Sequence, residues 1–320
     1  MPSSGREGYI GLAKQAAKGT GTAPTKFIKW TGTTDMSPKQ GITVYREGGD
    51  SLNPGIGLKE NHKPDGQFAL LARPDLAGFL FAMALGADTV TGAGPYTHAL
   101  TPAATLPWVT IERQVGGVQE RIIDCRIKSI TVEGESSKPV KLTVEYLGIN
   151  EDLSVAAAVV TYDTDMPFVY FQAVYTWDGG GSANVEKFKV ALTNSFDEDF
   201  FSTAVTRQDI ALLSRDVELE ATISMEDSMG FYKKVYAGTG TAPGTSPATG
   251  SFVVDLAYGV AAAARELKLD IPNVVYTEAP IELNADDGRL RYEIKTKGSK
   301  AVGSNLINVT VKSATTLVYV

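Results

Sequence analysis

Two stretches of this chain lie over one another without a gap: GQFALLARPDLAGFLFAMALGADTVTGAGP (Gly66 to Pro95) and ELEATISMEDSMGFYKKVYAGTGTAPGTSP (Glu218 to Pro247). They agree at Ala69/Ala221, Asp75/Asp227, Gly78/Gly230, Phe79/Phe231, Gly86/Gly238, Thr89/Thr241, Gly92/Gly244 and Pro95/Pro247. Chance gives roughly two or three agreements in such a window. Each copy also reads as a strand, a helix with an acidic first turn, a Gly stop and a Gly/Thr/Pro loop. In the first copy Leu76, Phe79, Leu80 and Met83 form the apolar helix stripe. In the second the stripe is Met225, Met229, Tyr232, Val235 and Tyr236, with Lys233 and Lys234 facing out and Ser224 and Asp227 as a capping box. The chain is therefore expected to use one design twice.

The resemblance continues downstream, where RIIDCRIKSITVEGESSKPVKLTVEYLG (Arg121 to Gly148) parallels RELKLDIPNVVYTEAPIELNADDGRLRYEIKTKG (Arg265 to Gly298). Leu267, Leu269 and Ile271 alternate with Glu266, Lys268 and Asp270, and Leu290, Tyr292 and Ile294 alternate with Arg289, Arg291, Glu293 and Lys295. Period-two strands with one wet face indicate antiparallel sheet, and the Asp-Gly of NADDGR is hairpin chemistry. Upstream, KFIKWTGTTD (Lys26 to Asp35) matches KFKVALTNSF (Lys187 to Phe196). The expected fold is mainly β: an N-terminal arm over 1–24, a first module over 25–165 and a second over 166–320, meeting near Asp163 to Pro167. Each module is an antiparallel sandwich or barrel-like sheet with one short helix. The hexapeptide GTGTAP also occurs twice, at Gly19 and Gly238, but in unlike surroundings, so it is no guide to the duplication.

Charge and chemistry narrow the function. With 30 Lys and Arg against 37 Asp and Glu, the net charge of −7 argues against tight binding of phosphates. The single cysteine, Cys125, excludes an intrachain disulfide and reads as a small core residue. No secretory signal is visible, and the longest apolar run, Leu76 to Ala87, is too short to span a bilayer. GTGTAP has Pro where a dinucleotide loop needs its third Gly, and no GK[ST] follows a Gly-rich loop. Two separated histidines, His62 and His98, give no zinc spacing. Asp197, Glu198 and Asp199 read as a solvated hairpin tip, and Asn284, Asp286 and Asp287 as turn formers. Asn308-Val-Thr310 matches a glycosylation sequon, which reads as chance without a secretory signal. No catalytic constellation emerges, and neither a cofactor nor a metal is expected.

The opening GYIGLAKQAAKGTGTAPTKFIKWTG, Gly8 to Gly32, resembles that of tail tube proteins from long-tailed, non-contractile bacteriophages. In that family an arm of the type G-Y-[IL]-G-[IL]-A-K and a G-T-x-x-A-P loop lead into the first strand. Here these are Gly8 to Lys14, then Gly19, Thr20, Ala23 and Pro24.

The resemblance implies a structural virion protein, not an enzyme, that polymerises into stacked rings around a channel for DNA delivery. Two modules per chain imply a homotrimeric, pseudo-hexameric ring. The implied partners are the chain itself, tape measure, tail terminator and baseplate proteins, and passing double-stranded DNA held without tight binding. No membrane is expected, and the location is the virion tail, with assembly in the host cytoplasm. Contacts between subunits and rings are expected at Tyr9, Ile10, Leu12 and Lys14 of the arm, and at Tyr45 and Leu52 of the long segment from Asp35 to Asp65. Lumen-facing candidates are Glu133, Glu135, Glu145, Glu266, Asp270 and Glu293. Two alternatives stay open, a terminator-like tail assembly protein and a free-standing β-sandwich binding protein.

Overall fold

The computed structural model describes residues 8–32, 34–36, 39–45, 55–180, 184–224, 230–237, 242–280 and 290–320. The first half supplies β1 (Tyr9–Lys14), β2 (Lys26–Ile28), β3 (Lys39–Val44), β4 (Gly57–Lys63), β5 (Gly66–Leu71), α1 (Pro74–Leu85), β6 (Gly86–Thr91), β7 (Tyr96–Pro102), β8 (Val109–Val115), β9 (Val118–Glu135), β10 (Lys141–Leu147) and β11 (Asn150–Asp152). The second supplies β12 (Ala173–Trp177), β13 (Val185–Asp197), β14 (Ala211–Ser224), α2 (Gly230–Tyr236), β15 (Thr249–Tyr258), β16 (Arg265–Glu278), β17 (Arg291–Gly298) and β18 (Asn308–Ser313). The fold is mainly β, and the ladders between these strands are antiparallel, as the alternation predicts.

Strand order repeats between the halves. β10 lies between β5 and β9, and β17 lies between β14 and β16. The halves are joined by β13, which pairs with β14 on one side and with β9 on the other, from Lys187↔Glu135 to Thr193↔Ser129. At this junction Gly134 faces Phe188, and a Cβ on Gly134 would lie 2.2 Å from the Phe188 ring. A glycine leaves that space to the aromatic ring, which covers the backbone instead.

Helix α1 starts at Pro74, whose missing N–H costs nothing in a first turn, and stops at Gly86, which adopts φ 95°. A Cβ at Gly86 would meet the Thr105 carbonyl oxygen at 2.4 Å. The expected one-sided stripe is too narrow, because every α1 residue except Asp75 is buried. The helix packs against β9 and also against β7, β16 and β18, so apolar residues are needed all round. α2 departs from expectation differently. None of its residues is fully buried, and Tyr232 is half exposed. Lys234 does not face out; its ammonium pairs with Asp178 and lies over the Phe231 and Tyr276 rings, because the long stem carries the charge across apolar surface to those partners. Met225, Asp227 and Met229 lie outside the described residues, as does the NADDG turn at 284–288.

The N-terminal residues also need correcting. Residues 9–14 are not a free arm but a strand between β2 and β8, with Tyr9, Ile10 and Leu12 buried. The Tyr9 hydroxyl donates to Glu112 and accepts from Gln119 at 2.6 Å and from the Ala158 amide at 2.8 Å. One hydrophobic core runs from Ile10 to Tyr319 across the expected boundary near 163–167. The chain's last residues close it: Tyr319 packs edge-on against Phe79 and stacks on His98. Asp75, in the first turn of α1, accepts from Thr315, Tyr319 and Lys26.

Candidate functional site

On β10, β9, β13, β14 and β17, alternation splits the side chains between two faces, while β5 beside them buries Phe68, Ala69 and Leu70 in succession. Leu142, Val144, Ile130, Val132, Val190, Leu192, Leu219 and Ile294 are buried on the core side. The opposite face is polar, and its charges are ordered. Following the register across the strands, Lys141 stands beside Glu133, Glu133 beside Lys189, Lys189 beside Glu220, Glu220 beside Lys295 and Lys295 beside Glu278. Sign alternates at every step. Opposite charges directly across a ladder each contribute some tenths of a kcal/mol, roughly 0.2–1 relative to Ala–Ala. Lys295 reaches Glu278 at 2.7 Å and Lys189 reaches Glu220 at 3.5 Å. The Glu278 hydrogen bond raises the Lys295 pKa above the ordinary lysine range.

Neighbouring rows are less balanced. One runs through Thr143, Thr131, Ala191, Glu218 and Lys297, and another through Gln67, Glu145, Ser129, Thr193 and Asp216. At the hairpin end Glu135 faces Lys187, and Lys138 holds Glu135 at 2.8 Å. That hydrogen bond draws the Glu135 carboxyl below its usual pKa. Carboxylates outnumber cations here by one: Glu133, Glu135, Glu145, Asp216, Glu218, Glu220, Glu278 and Glu293 stand with Lys138, Lys141, Lys187, Lys189, Arg291, Lys295 and Lys297. The face carries net negative charge, and its lysines have acidic neighbours.

A profile of the family described as phage tail tube protein matches residues 5–293. The chain belongs to the phage tail tube protein family. None of the curated proteins matches it. The family is structural, and membership implies self-assembly into a tube and a place in the virion tail.

Within this tail tube protein the sequence-selected residues fall into three places. Glu133, Glu135, Glu145 and Glu293 share the charged face just described. Glu266 and Asp270 lie on the half of β16 before Pro272, where β18 is the neighbour: Glu266 pairs with Lys312, and Asp270 stands across from Asn308. The other half of β16, after Pro272, borders β17 and the face. Tyr9, Ile10 and Leu12 are buried in β1, and only Lys14 at its end is exposed. Tyr45 is half exposed at the end of β3, and Leu52 lies outside the described residues.

Sequence reading missed Lys189, Glu218 and Glu220 on the tail tube face, although KFKV and ELEA alternate as cleanly as the segments it used. In the segment from Asp35 to Asp65 it named Tyr45 and Leu52 as contacts but did not foresee the β3–β4 hairpin. Among the described residues that hairpin pairs with no other strand, and it exposes Ile42, Val44, Ile56 and Leu58 beside Tyr45. Its base is held by His62, which meets Glu151 at 2.9 Å, and by Lys63, which meets Asp199 at 2.7 Å. Asp199 is thus an ion-pair partner at the β13–β14 connection, and among the described residues no acidic cluster is arranged to hold a metal. Cys125 is fully buried, and burial raises its thiol well above the usual pKa, the opposite of an activated nucleophile. Among the described residues no helix is long and apolar enough to cross a membrane.

Proposed function

We propose that three copies of this chain close into a ring, that rings stack into the tail tube, and that the charged sheet face lines the channel for DNA. The observation that carries this reading is the β9–β13 ladder, which makes one sheet of two halves with the same strand order. That sheet ends in edges that a second copy fits. Beyond Val275, Thr277 and Glu278 of β16 have β17 on one side and no described strand on the other. At the far side, among the described residues, β5 meets single bridges from Trp30 and Asp35 and no strand besides β10. A junction like β9–β13, formed between the second half of one chain and the first half of the next, satisfies these edges and closes a barrel. Three chains with two halves each give six such junctions.

The face suits the channel on electrostatic grounds. Each cation that contacts phosphate releases counterions and adds to binding, so a wall that lets DNA pass keeps its lysines paired and its net charge negative. The β3–β4 hairpin suits contact between rings, since an isolated two-stranded ribbon with exposed apolar side chains gains stability from a neighbour. Tape measure, tail terminator and baseplate proteins are the further partners on this reading, with assembly in the host cytoplasm. Mass per length of assembled tubes tests the ring: three chains per ring supports it, whereas six chains, or a chain that stays monomeric at all concentrations, overturns it.

A further inference from the structure

Apart from the charged face, a cleft of about 370 Å³ opens where β13 passes into β14. Leu106, Phe196, Ile210 and Leu212 give it apolar walls, and Trp108 and Arg126 give it a cation stacked on an aromatic ring, 3.7 Å from the guanidinium to the ring centre. The Arg126 Nε and Nη1 atoms are shielded from bulk water and have no hydrogen-bond acceptor among the described residues. The nearby carboxylates are engaged: Asp209 holds Lys18 at 2.8 Å, and Asp124 accepts the Gly19 amide at 2.7 Å. Burial pulls the Arg126 pKa down to about 10, as expected of a cation short of a counter-charge.

The other end of the same strand offers the complement. β14 leaves the cleft at Ala211 and ends at Ser224, which pairs with Arg291 at the start of β17. At about 3.3 Å per residue these ends are roughly 45 Å apart. The chain between β16 and β17 at that far end reads IELNADDGR, with Glu282, Asp286 and Asp287 against Arg289. Head-to-tail stacking along the strands sets an acidic end against the unsatisfied cation.

We propose that the Trp108–Arg126 cleft receives an aspartate, Asp286 or Asp287, from a second copy in the adjoining ring. This inference rests on the stacked-ring reading. A carboxylate meeting a desolvated, ring-stacked guanidinium makes a charge-assisted contact that fixes register between rings.

The test measures the critical concentration for polymerisation of the full chain by sedimentation and electron microscopy. Arg126→Glu is expected to raise it about tenfold or more, in line with coupling energies of close interfacial charge pairs. Asp286→Lys with Asp287→Lys is expected to do the same, and the three changes together are expected to restore much of the loss. Wild-type-like polymerisation of the Asp286/Asp287 variant overturns the proposal. So does a triple variant that is folded by thermal melt yet no better than Arg126→Glu. Should Arg126→Glu not fold, the Asp286/Asp287 variant, altered far from the cleft, decides alone. If the wild-type chain forms no tubes at any concentration, the ring reading itself fails, and this proposal goes with it.

Discussion

His98 shows how much one buried side chain can settle. Its Nδ1 lies 3.0 Å from Asp88, and its Nε2 lies 3.0 Å from the Thr315 carbonyl oxygen. A carboxylate and a carbonyl both accept, so the geometry favours the form in which both ring nitrogens donate, the imidazolium. Burial alone would lower its pKa, but the Asp88 hydrogen bond, the Thr315 carbonyl and the charges of Asp88 and Asp75 outweigh burial and hold it above the usual value. A raised pKa stabilises the fold fully below about pH 6.5, and that contribution fades as pH rises through the folded value. The expected result is a melting temperature that falls between pH 6 and pH 9, with a smaller fall in His98→Gln; equal pH slopes would refute the assignment. Nothing in the sequence marks His98 for this role. Asp75 and the Thr315–Tyr319 segment meet around it only after the whole chain has folded. Glu133 was legible as a wet-face residue, but its neighbours were not. Because it sits between Lys141 and Lys189, Glu133→Lys would set three lysines in a row and weaken the sheet. Glu145, across from Gln67 and Ser129, avoids that conflict. Glu145→Lys is therefore the cleaner probe of the channel: tubes should still form, and DNA ejection should slow most at low salt. Ejection kinetics equal to wild type at low salt would remove the electrostatic role.

Among the elements, those with internal periodicity were the readable ones. The acidic first turn at Asp75, the apolar run and the Gly86 stop bound α1 correctly, and β16 and β17 alternate as written except at Leu290, which is exposed just before β17. β1 was not readable. YIGLAK is short, carries a glycine and is covered on one side by the distant β8, so its burial is decided by pairing with β2 and β8. Deleting residues 1–22 is consequently expected to abolish cooperative unfolding, contrary to what an arm would do. Leu12→Ala alone should cost about 2–5 kcal/mol, because a fully buried leucine leaves a cavity. Thermal melts of both variants check this, and an unchanged melt after deletion would restore the arm. The junction strand gives a second test. Gly134→Val should drive Phe188 from its place and destabilise the β9–β13 ladder. Loss of amide protection on β13 ahead of β14 in hydrogen exchange would report it.

At the scale of the whole molecule, the repeat was visible in sequence while the way its copies join was not. Pairing of Glu135 with Lys187 links strands whose own patterns would look the same in two separate sheets. The C-terminal closure is the other long-range feature, and it bears on timing. The α1 core lacks β18 and Tyr319 until the end of the chain has been made. At about 5–20 residues per second of synthesis, the interval between finishing α1 and finishing β18 is on the order of 10–50 s. Through that interval a nascent chain holds an apolar helix against an unfinished partner sheet, and of the two edges in the proposed junction it has made β5 but not β16. Translation itself thus acts as a clock: until β16 emerges, a chain offers only one half of the proposed junction.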